Sequence, residues 1–133
     1  MADQFFDTNV LLYLLSADAV KADRVEETLA AGATISVQVL NEFASVALRK
    51  LGMQAAEVRD ALEPIIAVCD VVPLTIEIHQ RGLQLAERYG FSFYDSLIVA
   101  AAIDSGCTAL ITEDLQNGQV IAGTLTIRNP FLD

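Results

Sequence analysis

The chain has 133 residues, enough for one domain built around a single buried core. With 53% hydrophobic and 20% charged residues and a mean hydropathy of +0.44, it is too apolar for a disordered segment, yet it lacks the run of about 20 apolar residues that a membrane-spanning helix needs. Eight basic residues against 18 acidic ones leave a net charge of -10, the opposite of the basic footprint usual in nucleic-acid binders, and charge alone points to a cation or a basic partner protein.

Along the chain, short β-type segments alternate with longer helical ones. Gln4-Phe5-Phe6 reads as a strand, Asp7-Thr8-Asn9 as a cluster of capping residues, and Val10 to Leu15 as the apolar turns that follow. Ala19 to Ala31 reads as a helix stopped by Gly32, and Thr34-Ile35-Ser36 as a second strand. Val37, Leu40, Ala44, Ala47, Leu48 and Leu51 then recur at helical spacing, and Gln54 to Ala67 continues as a helix despite Pro64. Cys69 to Leu74 is a third strand, Thr75 to Tyr89 a helix closed by Gly90, Ser92 to Ser105 a nearly all-apolar helix, and Thr108 to Ile111 a fourth strand. The tail from Gln119 to Ile127 is β-rich and follows an Asn117-Gly118 turn. This alternation predicts one α/β domain over residues 1–133, a three-layer α/β/α sandwich around a mostly parallel sheet of about five strands. The Met1-Ala2-Asp3 start lacks the basic region of a secretory leader, so a cytoplasmic protein is expected. Cys69 and Cys107 have neither a C-x-x-C motif nor a nearby histidine, which argues against a disulfide scaffold or a zinc site. The surplus of apolar residues suggests an interface with another chain.

In parallel α/β sheets, ligands bind at the carboxyl ends of the strands, where strand order reverses. Asp7 directly follows the first strand, Asp114 lies three residues beyond Ile111, and Asp95 opens the helix leading into the fourth strand. Each also has an ordinary reading. Asp7 suits a helix cap, Ser92-Phe93-Tyr94-Asp95 has the form of a capping box, and Asp114 sits in a Thr-Glu-Asp turn. Glu42 falls almost opposite the Val37–Leu51 stripe, which by periodicity is the solvent face, although Val39 and Val46 flank it there. Pattern alone leaves these readings open. His79, the single histidine, suits packing or the surface better than catalysis.

Four segments carry a family resemblance. Phe6-Asp7-Thr8-Asn9-Val10-Leu11-Leu12-Tyr13-Leu14 resembles the opening of PIN-domain ribonucleases, in particular the VapC-like toxins of toxin-antitoxin pairs. Ile35 to Phe43, with Glu42 after Asn41, is similar to the second motif of that family, Tyr94 to Ala102 to the third, and Leu110 to Gly118 to the fourth. Asn129-Pro130-Phe131 is similar to their close. The resemblance runs from residue 6 to 131 in order and spacing.

It implies a metal-dependent endoribonuclease with Asp7, Glu42, Asp95 and Asp114 as catalytic acids. Asp7, Asp95 and Asp114 would hold Mg²⁺ or Mn²⁺, directly or through water, while Glu42 orients or deprotonates the attacking water. Thr8, Asn9, Ser96 and Thr112 would fix the carboxylates or meet phosphate oxygens. The expected product ends are a 5′-phosphate and a 3′-hydroxyl, and the expected partners are an RNA substrate, a cognate antitoxin and a second copy of the chain in a homodimer. Other readings are a PIN nuclease of RNA processing that is no toxin, and a PIN-like binding module that has lost catalysis. A dehalogenase-type phosphotransfer site needs a second Asp where this chain has Asn9, and a receiver-type site needs a late Lys, whereas Lys21 and Lys50 are early.

Overall fold

Phe5 and Phe6, both fully buried, put β1 (Gln4–Phe6) at the heart of the computed structural model, which describes residues 3–132. Met1 and Ala2, read above against a secretory leader, lie outside the described residues, as does Asp133. After β1 come α1 (Thr8–Leu11), a 3₁₀ turn (Leu12–Leu15), α2 (Ala19–Ala30), β2 (Ala33–Ser36), α3 (Val37–Arg49), α4 (Ala55–Val68) and β3 (Cys69–Val72). α5 (Ile76–Tyr89), α6 (Phe93–Asp104), β4 (Ala109–Ile111), β5 (Val120–Ile121) and β6 (Leu125–Arg128) complete the order. The helices start where short polar side chains cover free N–H groups: Asp7, Asp18, Ser36, Thr75 and Ser92 each accept from the first turn they precede.

The sheet has the order β3-β2-β1-β4-β6-β5 and is parallel except for β5, which runs antiparallel to β6. The α/β class is as expected. The tail folds into two strands rather than one, so the sheet has six where the pattern suggested about five. Ala122 and Gly123, with φ of 53° and 74°, make the tight turn between them, and Thr124 N–H donates to Ile121 O at 3.2 Å. Two successive positive φ angles match the twist of a hairpin, a turn that Ala-Gly advertises far less than Asn-Gly. The chain leaves β1 toward β2 on one side and returns to β4 on the other, so strand order reverses between β1 and β4. No helix among the described residues is long and apolar enough to cross a membrane, and Cys69 and Cys107 are unbridged.

The orientation of α3 corrects the stripe reading. Its buried side carries Gln38, Val39, Phe43 and Ala47, whereas Leu48 and Leu51 are 45% and 52% exposed. Core contact follows the 39-43-47 line, offset around the helix from that stripe, with Asn41, Ser45 and Arg49 gathered on the opposite side. Phe43→Ala is therefore expected to cost about 3–5 kcal/mol in denaturant unfolding, and Leu48→Ser less than about 1 kcal/mol. Equal losses at the two positions would contradict this facing of α3.

Candidate active site

Asp7 stands at the β1–α1 corner, beside the reversal point. Its backbone N–H donates to Ile111 O at 2.9 Å, which continues the β1–β4 pairing, and its side chain turns inward with only 5% exposure. Oδ1 accepts from Thr8 N–H at 2.7 Å and Oδ2 from the Thr112 hydroxyl at 2.9 Å. Asn9 Nδ2 points at both, 3.4 Å from Asp7 Oδ2 and 3.2 Å from Thr112 Oγ1. The Thr112 hydroxyl is a hub, since it also accepts from Asp114 N–H at 3.2 Å. Asp7 thus serves as a helix cap and as a buried acid at once, so the two readings of this residue are compatible.

Glu42 reaches the same place from α3. Its Oε1 accepts from Thr8 Oγ1 at 3.0 Å and from Gln38 Nε2 at 3.5 Å, and Gln38 Nε2 also donates to Tyr94 O at 3.0 Å. That last bond ties α3 to the residue just before Asp95. Ser92 caps α6 by accepting from Asp95 N–H at 3.2 Å, but among the described residues the Asp95 carboxylate makes no return bond. The capping box is half built, and the Asp95 carboxylate is left for other work.

Burial pushes the Asp7 carboxyl up to about 7, with the charges of Asp95 and Glu42 adding to the rise and the Thr112 and Thr8 hydrogen bonds opposing it. Asp7, Glu42 and Asp95 are therefore one electrostatic group. Asp114 is exposed at the rim, and its backbone alone is tied to the hub. Of the accessory residues, Thr8, Asn9 and Thr112 all contact acids of the group, whereas the buried Ser96 hydroxyl bonds back to Ser92 O at 2.9 Å, inside its own helix. His79 is exposed and packs edge-on against Phe93, with ring centres 5.6 Å apart.

Two features escaped the sequence reading. Gln38 is one; its i, i+4 spacing to Glu42 was the available signal. The other is a brace around the Asp114 loop. Tyr13 OH donates to Glu113 Oε1 at 2.6 Å, and Lys21 Nζ lies 3.2 Å from Tyr13 OH and 3.4 Å from Glu113 Oε2. Lys21 also sits over the rings of Tyr13 and Phe131, and Asn9 Oδ1 accepts from Glu113 N–H at 3.3 Å. Nothing in single-residue periodicity predicts this convergence of residues 9, 13, 21, 113 and 131.

Among the described residues, no ion pair reaches Asp7, Glu42, Asp95 or Asp114, and no three Asp, Glu, His or Cys side chains stand close enough to ligate one ion directly. The donors are all oxygen, and Mg²⁺ characteristically takes one or two carboxylates and fills its other positions with water. A buried carboxylate crowded by two others and lacking a protein cation fits such an ion. A hollow of about 520 Å³ lies elsewhere, between α2 and α4, and is apolar, lined by Leu14, Leu29, Ala61, Ile65 and Val68 with Glu26 among them.

The family model of the PIN domain matches residues 5–120. No curated protein matches the chain. Similar solved structures include a toxin-antitoxin complex from Klebsiella pneumoniae, 24% identical over 96% of this chain and 98% of that one, with a TM-score of 0.72. DNA-bound VapBC from Salmonella typhimurium is 20% identical over 98% and 99% of the two chains, with a TM-score of 0.75. VapC20 from Mycobacterium tuberculosis, described as a Sarcin-Ricin loop cleaving toxin, is 21% identical over 84% and 89%, with a TM-score of 0.68. At these identities the likeness is one of fold.

The Asp7 shift has a consequence for stability. Its proton is held more tightly folded than unfolded, so this contribution is full below the ordinary value of 3.8 and is lost as pH rises through about 7. Without divalent cations, wild type is expected to lose on the order of 4 kcal/mol between those limits. Asp7→Asn flattens the loss, as read by denaturant unfolding across pH; the same slope in both proteins would exclude Asp7 as its source.

Proposed function

The chain belongs to the PIN-domain family, and from that premise we propose that it is a metal-dependent endoribonuclease, the toxin of a toxin-antitoxin pair. Asp7, Glu42, Asp95 and Asp114 are its catalytic acids. The carrying observation is the buried Asp7 carboxylate, raised by burial and by the charges of Asp95 and Glu42, with no protein cation among the described residues to neutralise it. Two unit charges 4 Å apart repel by about 4 kcal/mol at an effective dielectric of 20, so the group is stabilised by a bound cation.

Asp7, Asp95 and Asp114 would hold Mg²⁺ or Mn²⁺, directly or through water. When bound, the ion lowers the pKa of water, polarises a phosphoryl oxygen and offsets negative charge in the transition state. The chain's residues do the rest. Thr8 and Gln38 engage Oε1 of Glu42, and among the described residues Oε2 has no hydrogen bond, which leaves it to orient a water and take its proton. Thr112 and Asn9 hold Asp7 in one rotamer, and the Lys21–Glu113–Tyr13 brace steadies the loop that carries Asp114. Attack on the phosphorus leaves a 5′-phosphate on one fragment and a 3′-hydroxyl on the other.

Partners follow from the same reading. The apolar groove between α2 and α4 suits an apolar segment of an antitoxin, and the similar folds solved in toxin-antitoxin complexes support such a partner. Leu48 and Leu51 suit a homodimer contact, and a cytoplasmic protein fits these partners. RNA as substrate draws support from the fold shared with VapC20, described as cleaving the Sarcin-Ricin loop.

The test incubates purified protein with total cellular RNA, with Mg²⁺ or Mn²⁺ and with chelator, beside Asp7→Asn. Metal-dependent cleavage is expected, slowed about 100-fold or more by the substitution. Cleavage that survives chelation or leaves Asp7→Asn at wild-type rate defeats the proposal.

A further inference from the structure

We propose that Gln38 is a positioning residue of this site, setting the Glu42 carboxylate relative to the Asp95-bearing end of α6. The assignment rests on the nuclease reading above. Gln38 occupies the second position of α3, one turn before Glu42, and is only 5% exposed. Its amide N–H₂ serves two helices, Tyr94 O at 3.0 Å and Glu42 Oε1 at 3.5 Å. With Thr8 Oγ1 at 3.0 Å on the same Oε1, Glu42 is gripped on one oxygen and free on the other.

The other half of the amide shows what Gln38 is for. Its Oε1 is the one buried side-chain polar atom without a hydrogen-bond partner among the described residues. Such an orphan costs about 1–3 kcal/mol. Turning the amide over gives no relief, because the oxygen would then face a carbonyl and a carboxylate, both acceptors. Met at this position would fill a similar volume with no orphan. It would strand no partner either: Tyr94 O keeps the i+4 N–H of its own helix, and Glu42 Oε1 keeps Thr8. Packing and stability therefore favour an apolar residue here. The gain from the amide lies in its two donors: one bonds Tyr94 O and ties α3 to the first turn of α6, the other holds Glu42 Oε1 within α3, and together they place Glu42 against Asp95.

The experiment compares wild type, Gln38→Met and Gln38→Glu in the full chain on one RNA substrate. Gln38→Met is expected to melt no lower than wild type and to keep KM within twofold, while kcat falls about tenfold. Mn²⁺ affinity, read by electron paramagnetic resonance without RNA, is expected to fall less than threefold, since Glu42 rather than the ion is what moves. Gln38→Glu keeps the shape but turns a carboxylate on Glu42 and is expected to lose at least as much kcat. A Gln38→Met kcat within twofold of wild type overturns the proposal, as does a fall in kcat matched by the fall in Mn²⁺ affinity. If Gln38→Met does not fold, a folded Gln38→Glu at wild-type kcat overturns it, and failure of both to fold assigns Gln38 a structural role and overturns it equally. Wild type inactive on RNA brings down the nuclease reading and this assignment together, whereas active wild type with indifferent variants brings down this assignment alone.

Discussion

A carboxylate in the wrong solvent organises this molecule. Asp7 is buried where the chain turns from β1 into α1, and burying an ionisable oxygen pair is tolerated when hydrogen bonds surround it. The surrounding groups come from the corner itself, through Thr8 N–H, and from the end of β4, through Thr112. The β1–β4 pairing aligns Phe6 with Ile111, so that the next residue on each strand meets across the crevice. Had the two strands slipped by one residue, Thr112 would face the opposite side of the sheet and Asp7 would lose its partner. The register that closes the core is thus the register that holds the acid.

From that point the constraints propagate outward. Thr8, whose N–H donates to Asp7, turns its hydroxyl to Glu42, and Gln38 extends the same line to Tyr94, beside Asp95. Three elements far apart in sequence, α1, α3 and α6, are joined by short neutral donors rather than by cations. That choice preserves the negative charge of the group, which an Arg or Lys in the same positions would cancel. The ion pair of Lys21 with Glu113 sits beside the site instead of in it. It steadies the Asp114 loop and pins Phe131 of the tail, through contacts of a cation with two aromatic faces.

The same economy accounts for a net charge of -10 in a protein read as acting on RNA. A polyanion approaches an acidic protein more readily where the local negative charge is offset, and a divalent ion among the carboxylates would offset part of it. In that reading ionic strength and metal concentration would act on different parts of the encounter, since screening weakens the long-range field while a bound ion would work at contact. The cost of the arrangement is carried by the metal-free protein, whose buried acid is unfavourable once ionised.

The division between sequence and tertiary structure follows from how far each signal reaches. Turn chemistry and periodicity are local, so the strand–helix alternation, the caps at Asp7 and Ser92 and the crevice as the place to look were all legible. So were Asp7 and Asp95 as acids near strand ends, while Glu42 was legible through resemblance to a family motif alone. The packed face of α3 was legible only in part: Asn41, Ser45 and Arg49 mark a polar side, but the stripe through Val37, Leu48 and Leu51 lies off the line that is buried. The second strand of the tail was not legible, since its Ala122-Gly123 turn is held by Tyr89 OH accepting from Ala122 N–H at 2.8 Å, a contact 33 residues away. Gln38 belongs to the same class. Its spacing to Glu42 lies in the sequence, but the Tyr94 carbonyl that gives the amide its purpose is 56 residues distant, and only the folded chain brings them to 3.0 Å.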